Sequence, residues 1–274
     1  MTVWMSEARA SYAFVERNLN IVKRYWSWEV VWLAYSIANS LSVSFIGLGM
    51  EQIGGQGVDG RYLVLYLVVG TIVWRYLSLI FYWITDVIGM ERWEGTIEYT
   101  LMAPIHRLTH MGGQTLFAIV YSLISSGIIL GITAVMFQLD LSHANLVGSV
   151  VVLLAGSLAF IGIGVVGSIL PLLFPERGSQ MTHVIVAVLL LISGVYYPID
   201  VLPGTLQALS VFSPATYVLK GVRMALLDGA STQGLWPEVW PALILSVIFI
   251  PVGLRLFGLA ENYAKRAGKL ARNG

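Results

Sequence analysis

An all-α integral membrane protein is the fold class this sequence predicts, and three observations predict it. The first is composition: 57% of the 274 residues are hydrophobic and 11% are charged, where soluble domains hold about 25% charged and roughly 45–50% apolar residues. The mean hydropathy of +0.78 agrees. The second is a set of six apolar runs, at 29–50, 61–88, 112–138, 146–174, 182–197 and 238–259, against about 20 residues needed to cross a hydrocarbon core of about 30 Å. The third is that Lys and Arg gather in alternate connections between those runs, a segregation the net charge of +1 conceals. The absence of cysteine excludes disulfides, Fe–S clusters and thiol catalysis but leaves the compartment open. No cleavable leader is expected, because the first apolar run follows an amphipathic segment and lacks a short core with a small-residue cleavage site. The chain reads as one transmembrane domain over 1–274.

The N-terminal segment, 4–26, predicts an interfacial helix. Trp4, Ala8, Tyr12, Val15, Leu19, Val22 and Trp26 fall within an arc of about 80° at about 100° per residue. Arg9, Glu16, Arg17, Asn20, Lys23 and Arg24 lie outside that arc. Such a helix lies in the interface plane, either as an elbow that fixes the start of the first span or as a plain surface anchor.

Span one carries Ser36, Ser40 and Ser44 at four-residue spacing, beside Asn39 and Ser42. Small polar residues at that spacing read first as a close-packed helix interface; the alternative is the polar lining of a passage, for which Asn39 is the candidate. Span two holds Trp74, Arg75, Phe81, Tyr82, Trp83 and, nearer its end, Asp86. A charge at the bilayer centre costs about 2.5–3.5 kcal/mol on insertion scales, so Arg75 must face protein or water. Either it meets a polar part of a substrate in a cavity or at a dimer interface, or it is a structural ion pair or snorkelling contact. Trp74 and Tyr82 are candidates to line the same path. Most other Trp and Tyr residues belong to interfacial belts.

Between spans two and three runs a polar stretch, Glu91 to Arg107, the only place where several carboxylates cluster. It cannot sit in hydrocarbon and must dock on something in the aqueous phase. Span four contains Gly162, Gly164 and Gly167 in G-x-G-x-x-G spacing, with Ala155, Gly156 and Ala159 nearby. No strand precedes it, so helix packing is the reading rather than dinucleotide binding. Span five is short and runs into 198–232, where Pro198, Pro203 and Pro214 interrupt an apolar stretch. That stretch predicts short re-entrant helices at about 204–212 and 215–228, since irregular backbone at membrane depth must be buried in protein or line a cavity.

Arg9, Arg17, Lys23 and Arg24 precede span one; Arg92, Arg107 and Arg177 lie in the connections on the same side, and Arg255, Lys265, Arg266, Lys269 and Arg272 close the chain. The other side holds Arg61, Lys220 and Arg223 among several acids. Both termini and the 91–107 stretch are therefore expected in the cytoplasm of a cell (inner) membrane protein.

Enzyme motifs fail on spacing. No G-x-x-x-x-G-K-[ST] is present, since Gly268-Lys269 is followed by Leu270. His106 and His110 share i, i+4 spacing without a third ligand, so no metal is expected. His183 and Ser193 would stand about 80° apart in azimuth and roughly 15 Å apart in height on one helix, too far for a nucleophile and its base. No catalytic residue and no nucleic-acid contact is expected.

Three stretches resemble the membrane subunit of type 2 ABC exporters, the permeases for drugs, lipids and polysaccharides. Glu91-Arg92-Trp93-Glu94-Gly95-Thr96-Ile97-Glu98, continued by Pro104-Ile105-His106-Arg107, is similar to that family's E-x-x-x-G-T-x-E…P-x-x-R coupling segment. Ser193-Gly194-Val195-Tyr196-Tyr197-Pro198 with Leu202-Pro203 and Leu206, and Ser213-Pro214-Ala215-Thr216-Tyr217 with Arg223, are similar to its outer re-entrant region. The resemblance implies an interfacial helix, six spans, a cytoplasmic coupling helix over 91–107 between spans two and three, and outer re-entrant helices before span six. It implies that Glu91, Arg92, Glu94, Gly95, Thr96, Glu98, Pro104, His106 and Arg107 meet a cassette ATPase present in two copies. ATP and Mg would be bound by that subunit, with no cofactor in this chain. A second permease copy, identical or paralogous, would complete the path for an amphipathic or hydrophobic substrate, drug-like or lipid. A polysaccharide or lipid-linked glycan is the alternative cargo. An ion-coupled secondary transporter is the alternative class, but no internal repeat is evident and Asp86 is the sole acid well inside a span.

Overall fold

The computed structural model describes residues 3–54, 60–95, 97–102 and 107–268. Among them there are helices and no strand: α1 Val3–Arg24, α2 Trp26–Gly54, α3 Gly60–Glu94, α4 Ile97–Met102, α5 Arg107–Phe137, α6 Leu146–Gly167, α7 Ile169–Leu173, α8 Gly178–Ile192, α9 Gly204–Ser210, α10 Pro214–Leu226 and α11 Trp236–Arg266, with a single 3-10 turn at Ile199–Val201. Among the described residues five stretches are long and apolar enough to cross a membrane: Trp26–Met50, Gly60–Arg92, Gly112–Phe137, Leu146–Leu173 and Trp236–Arg266. The protein is a multi-pass helical membrane protein.

Helix α3 stands at the centre, against α2, α5, α6, α8 and α10. A helix contacted on every side must be apolar all round, and Tyr76, Leu77, Ile80 and Phe81 are fully buried. The Tyr76 hydroxyl, which cannot be left unsatisfied there, shares a hydrogen bond of 2.6 Å with Ser157 of α6.

Small residues set how closely the helices approach. A Cβ on Gly162 would lie 2.6 Å from the Phe249 carbonyl carbon of α11, and one on Gly253 would lie 2.7 Å from the Gly162 oxygen. Gly164 faces Ile84 and Gly167 faces Phe81 of α3. The dinucleotide-like spacing is thus a two-sided packing surface. In α2, Ser36, Ser40 and Ser44 are buried, with Ser36 and Ser44 donating to the carbonyls one turn back at 2.7 Å each. The interface reading of that row fits these contacts; Asn39 is exposed on another face.

The contacts also fix helix directions. Ser157 meets Tyr76, Gly164 meets Ile84, Leu235 meets Gly148 and Phe249 meets Gly162, so α3, α6 and α11 run parallel. Glu29 meets Tyr121 and Phe45 meets Phe137, so α2 and α5 are parallel to each other. Trp83 against Phe117 and Arg75 against Ser125 set α5 antiparallel to α3.

The fifth apolar run departs from its expected bounds. Its helix, α8, covers 15 residues, about 22 Å at 1.5 Å per residue, and so begins earlier and ends sooner than 182–197. It unwinds at Ser193 because Gly194 takes φ 70. The chain nevertheless follows α3 antiparallel from Gly89, where Ser179 packs, to Gly70, where the Val195 carbonyl packs. That stretch of α3 is about 28 Å long. Arg223 of α10 donates to the Gly194 and Val195 carbonyls at 2.9 and 2.6 Å, satisfying the backbone that leaves the helix.

Helix α1 has three faces. Tyr12 and Leu19 of the apolar arc are exposed, while Trp26, expected on the same arc, is the first residue of α2; Arg9, Glu16, Asn20 and Lys23 form a polar exposed side. The third face packs on α5: Asn18, buried, donates to Gln114, and the Ser11 hydroxyl donates to the Thr109 carbonyl at 3.3 Å. This polar seam is absent from a two-sided amphipathic description.

Candidate functional site

A cavity of about 670 Å³ opens between α2, α3, α5 and α8. Helical periodicity explains its walls. On α3, Trp74, Ser78, Tyr82 and Asp86 repeat every four residues, with Arg75, Leu79 and Trp83 in the adjoining row. On α2, Trp28, Trp32 and Tyr35 form a second stripe, packed edge to face at centroid distances of 6.4 and 6.1 Å. Helix α5 adds Tyr121, whose ring lies 5.8 Å from Trp83. Helix α8 adds His183, 5.1 Å from the Tyr82 ring.

Polar groups interrupt this aromatic surface at two levels. At one, the Arg75 guanidinium donates to the Ser125 hydroxyl at 3.1 Å. Beside it, Tyr121, one turn before Ser125 on α5, donates its hydroxyl to Glu29. At the other, Asp86 and His183 line the wall, about 16 Å from Arg75 along the α3 axis. Trp74, Arg75 and Tyr82, three of the four path candidates, line this one cavity; Asn39 is not among the lining groups. The sequence reading missed Glu29 and Tyr121. An acid in the first turn of a span is the only trace Glu29 leaves, and nothing marks Tyr121 among 13 tyrosines. His183 and Ser193 stand apart: the His183 ring contacts the Ser179 carbonyl, and Ser193 bonds Ser213 at 2.7 Å.

At the far end of α3, the 91–107 stretch is not one helix. Glu91 and Arg92 complete the last turns of α3 and are buried. Glu91 lies 3.9 Å from the Arg17 guanidinium of α1. Gly95, with φ 74, breaks the helix, as a residue without Cβ can do at no steric cost. Helix α4 then starts anew, anchored by buried Ile97, with Glu98, Tyr99 and Met102 exposed. Glu94 and Glu98 therefore do not share one helical face. Thr96, Pro104 and His106 lie outside the described residues; Glu94 ends α3 and Arg107 begins α5, and their side chains are outside the description as well. Among the described residues no group of three His, Asp or Glu gathers as a metal site.

A family model for the ABC-2 type transporter matches residues 9–227. The chain belongs to this family. The matched region runs from α1 to the end of α10 and contains both the cavity and the α3–α4–α5 connection. The family is one of membrane permeases that lack ATPase motifs, and this chain is a permease of that type. No curated protein matches the chain.

Proposed function

We propose that this ABC-2 permease is the membrane half of an ATP-driven exporter that moves an amphipathic or hydrophobic molecule, drug-like or lipid, out of the cytoplasm. The cavity between α2, α3, α5 and α8 carries the reading. Aromatic walls suit an apolar body, and a few placed polar groups suit a headgroup. A cassette ATPase, in two copies with its own ATP and Mg, docks at the exposed surface of α4 and presses on Glu98 and Tyr99. Helix α3 is one element of 35 residues, so a push at its Glu91 end reaches Trp74 and Arg75 without an intervening joint. Helix α1 moves with it through Arg17 and Glu91. A second permease copy, identical or paralogous, closes the open side of the path. Both termini lie in the cytoplasm and the protein resides in the cell membrane.

The test is reconstitution in liposomes with the cassette ATPase. ATP-dependent movement of a fluorescent amphiphile is expected only when both subunits are present; movement by the permease alone would overturn the reading. Seven aromatic side chains on the cavity wall favour a second cargo, a polysaccharide or lipid-linked glycan, because ring faces also stack on sugars. ATPase stimulation by glycans and not by amphiphilic dyes would select it. Uptake driven by an ion gradient without ATP would restore the ion-coupled alternative.

A further inference from the structure

We infer that the cavity selects amphiphiles with an anionic headgroup, a phosphate or carboxylate seated on Arg75, with the apolar body along the aromatic walls toward Asp86. This rests on the cavity being the substrate path. Arg75 uses one of its five N–H donors on Ser125. Its Nε is enclosed and has no hydrogen-bond partner among the described residues, and no described carboxylate oxygen lies within 4.0 Å of it. Arg75 lines the cavity, so the remaining N–H donors of its terminal nitrogens, and not the enclosed Nε, are what a carboxylate or phosphate there meets. Two acids share the wall. Glu29 already accepts the Tyr121 hydroxyl. Asp86 lies about 16 Å along α3, beside His183. Neither occupies the Arg75 donors, and both keep a cationic headgroup from being excluded by charge alone, so the order of preference is the decisive quantity.

The full-length chain in nanodiscs is photolabelled with three dodecyl probes carrying the same terminal diazirine: a phosphate, a maltoside and a trimethylammonium. Labelled peptides are mapped by mass spectrometry. The phosphate probe is expected to label the cavity stretches of α2, α3, α5 and α8 about tenfold more than the trimethylammonium probe, as one lost charge-assisted pair implies. Arg75→Gln is expected to erase that preference. Glu29→Gln, which keeps an acceptor for Tyr121 while removing a negative charge, is expected to raise phosphate labelling; it also keeps the test decisive if Arg75→Gln fails to fold. Phosphate labelling indifferent to both substitutions, or stronger labelling by the cationic probe, overturns the anion inference and leaves the path intact. Labelling of cavity peptides by none of the probes overturns the path itself. Where the headgroup order holds, competition by hexyl phosphate added from water assigns aqueous access, and its failure to compete assigns access from the bilayer.

Discussion

Arg223 joins three elements through one side chain. Its guanidinium donates to the Gly194 and Val195 carbonyls and lies 3.5 Å over the Tyr66 ring of α3. Interhelical hydrogen bonds in membranes average only about 0.6 kcal/mol, because the separated helices find other partners. Here the acceptors are carbonyls of a broken helix, which have no intrahelical donor to return to, so the larger figure for an unsatisfied buried group, about 1–3 kcal/mol each, applies. Arg223→Ala is expected to lower the melting temperature of the purified protein by several degrees, read by tryptophan fluorescence, while Arg255→Ala, on an exposed position of α11, leaves it unchanged. Gly70→Ala should act on the same joint. Its Cβ would lie 2.2 Å from the Val195 oxygen, so the joint must open, at about 1–3 kcal/mol. Equal melting temperatures for wild type and both variants would remove this joint from the account of stability. At this scale the sequence was legible only where chemistry was out of place. Arg75 stood out as a charge in an apolar run. Glu29 did not, because acids at span ends are ordinary. Asn39 lies outside this cavity's lining because one step from Ser40 turns a side chain about 100° around the helix, away from the buried serine row.

Elements were more legible than residues, because burial in hydrocarbon demands long apolar runs and their ends follow from polar punctuation. What the pattern hid is where a helix stops inside a polar stretch. Nothing in Glu91 to Arg107 distinguishes the tail of α3 from the start of α4 except Gly95, and only its φ of 74 makes the break. The same holds for α1: periodicity marks the lipid arc, whereas the seam with α5 is made by Ser11 on the Thr109 carbonyl and by a buried amide pair, Asn18 and Gln114. Asn18→Leu leaves the buried Gln114 amide without that partner, at about 1–3 kcal/mol. Faster amide exchange across α1, with α3 and α6 protection unchanged, is the expected outcome; uniform loss of protection would mean that α1 is part of the core and not a clasped element. Helix α4 carries the element-scale functional prediction. Glu98 is exposed in its first turn, so Glu98→Lys reverses a surface charge without creating a clash, while it also removes the attraction between this carboxylate and Arg92. It is expected to uncouple ATP hydrolysis from transport while the purified protein stays folded, its melting temperature falling by a few degrees at most, since the lost charge pair is half exposed. Normal substrate-stimulated ATPase activity in that variant would remove Glu98 from the ATPase interface.

For the whole molecule the decisive element is α8, because among the described residues it is the apolar helix too short for its path to follow from its length. A 15-residue helix falls short of the about 20 residues that cross a bilayer, and composition alone would leave five spans. Five spans would put the two termini on opposite sides. Helix directions argue otherwise: α6 and α11 run parallel from neighbouring starts, with Asn145 donating its backbone N–H to the Ala225 carbonyl and its side-chain amide to the Ala230 carbonyl. The chain between them must therefore return from the end of α7 to the start of α6. It does so along α8 and the unwound Ser193–Val195 segment, covering the depth between Gly89 and Gly70 of α3. The chain has no native cysteine, so single introduced cysteines report this directly. A membrane-impermeant maleimide should label Asp140→Cys and Ser231→Cys in intact cells, and Tyr99→Cys and Asn262→Cys only after permeabilisation; all four positions are exposed. Labelling of Ser231→Cys only after permeabilisation would mean that α8 turns back within the bilayer. That outcome would reverse the side assigned to α11 and leave α9 and α10 on the same side as α4, so the sixth crossing stands or falls on this one position.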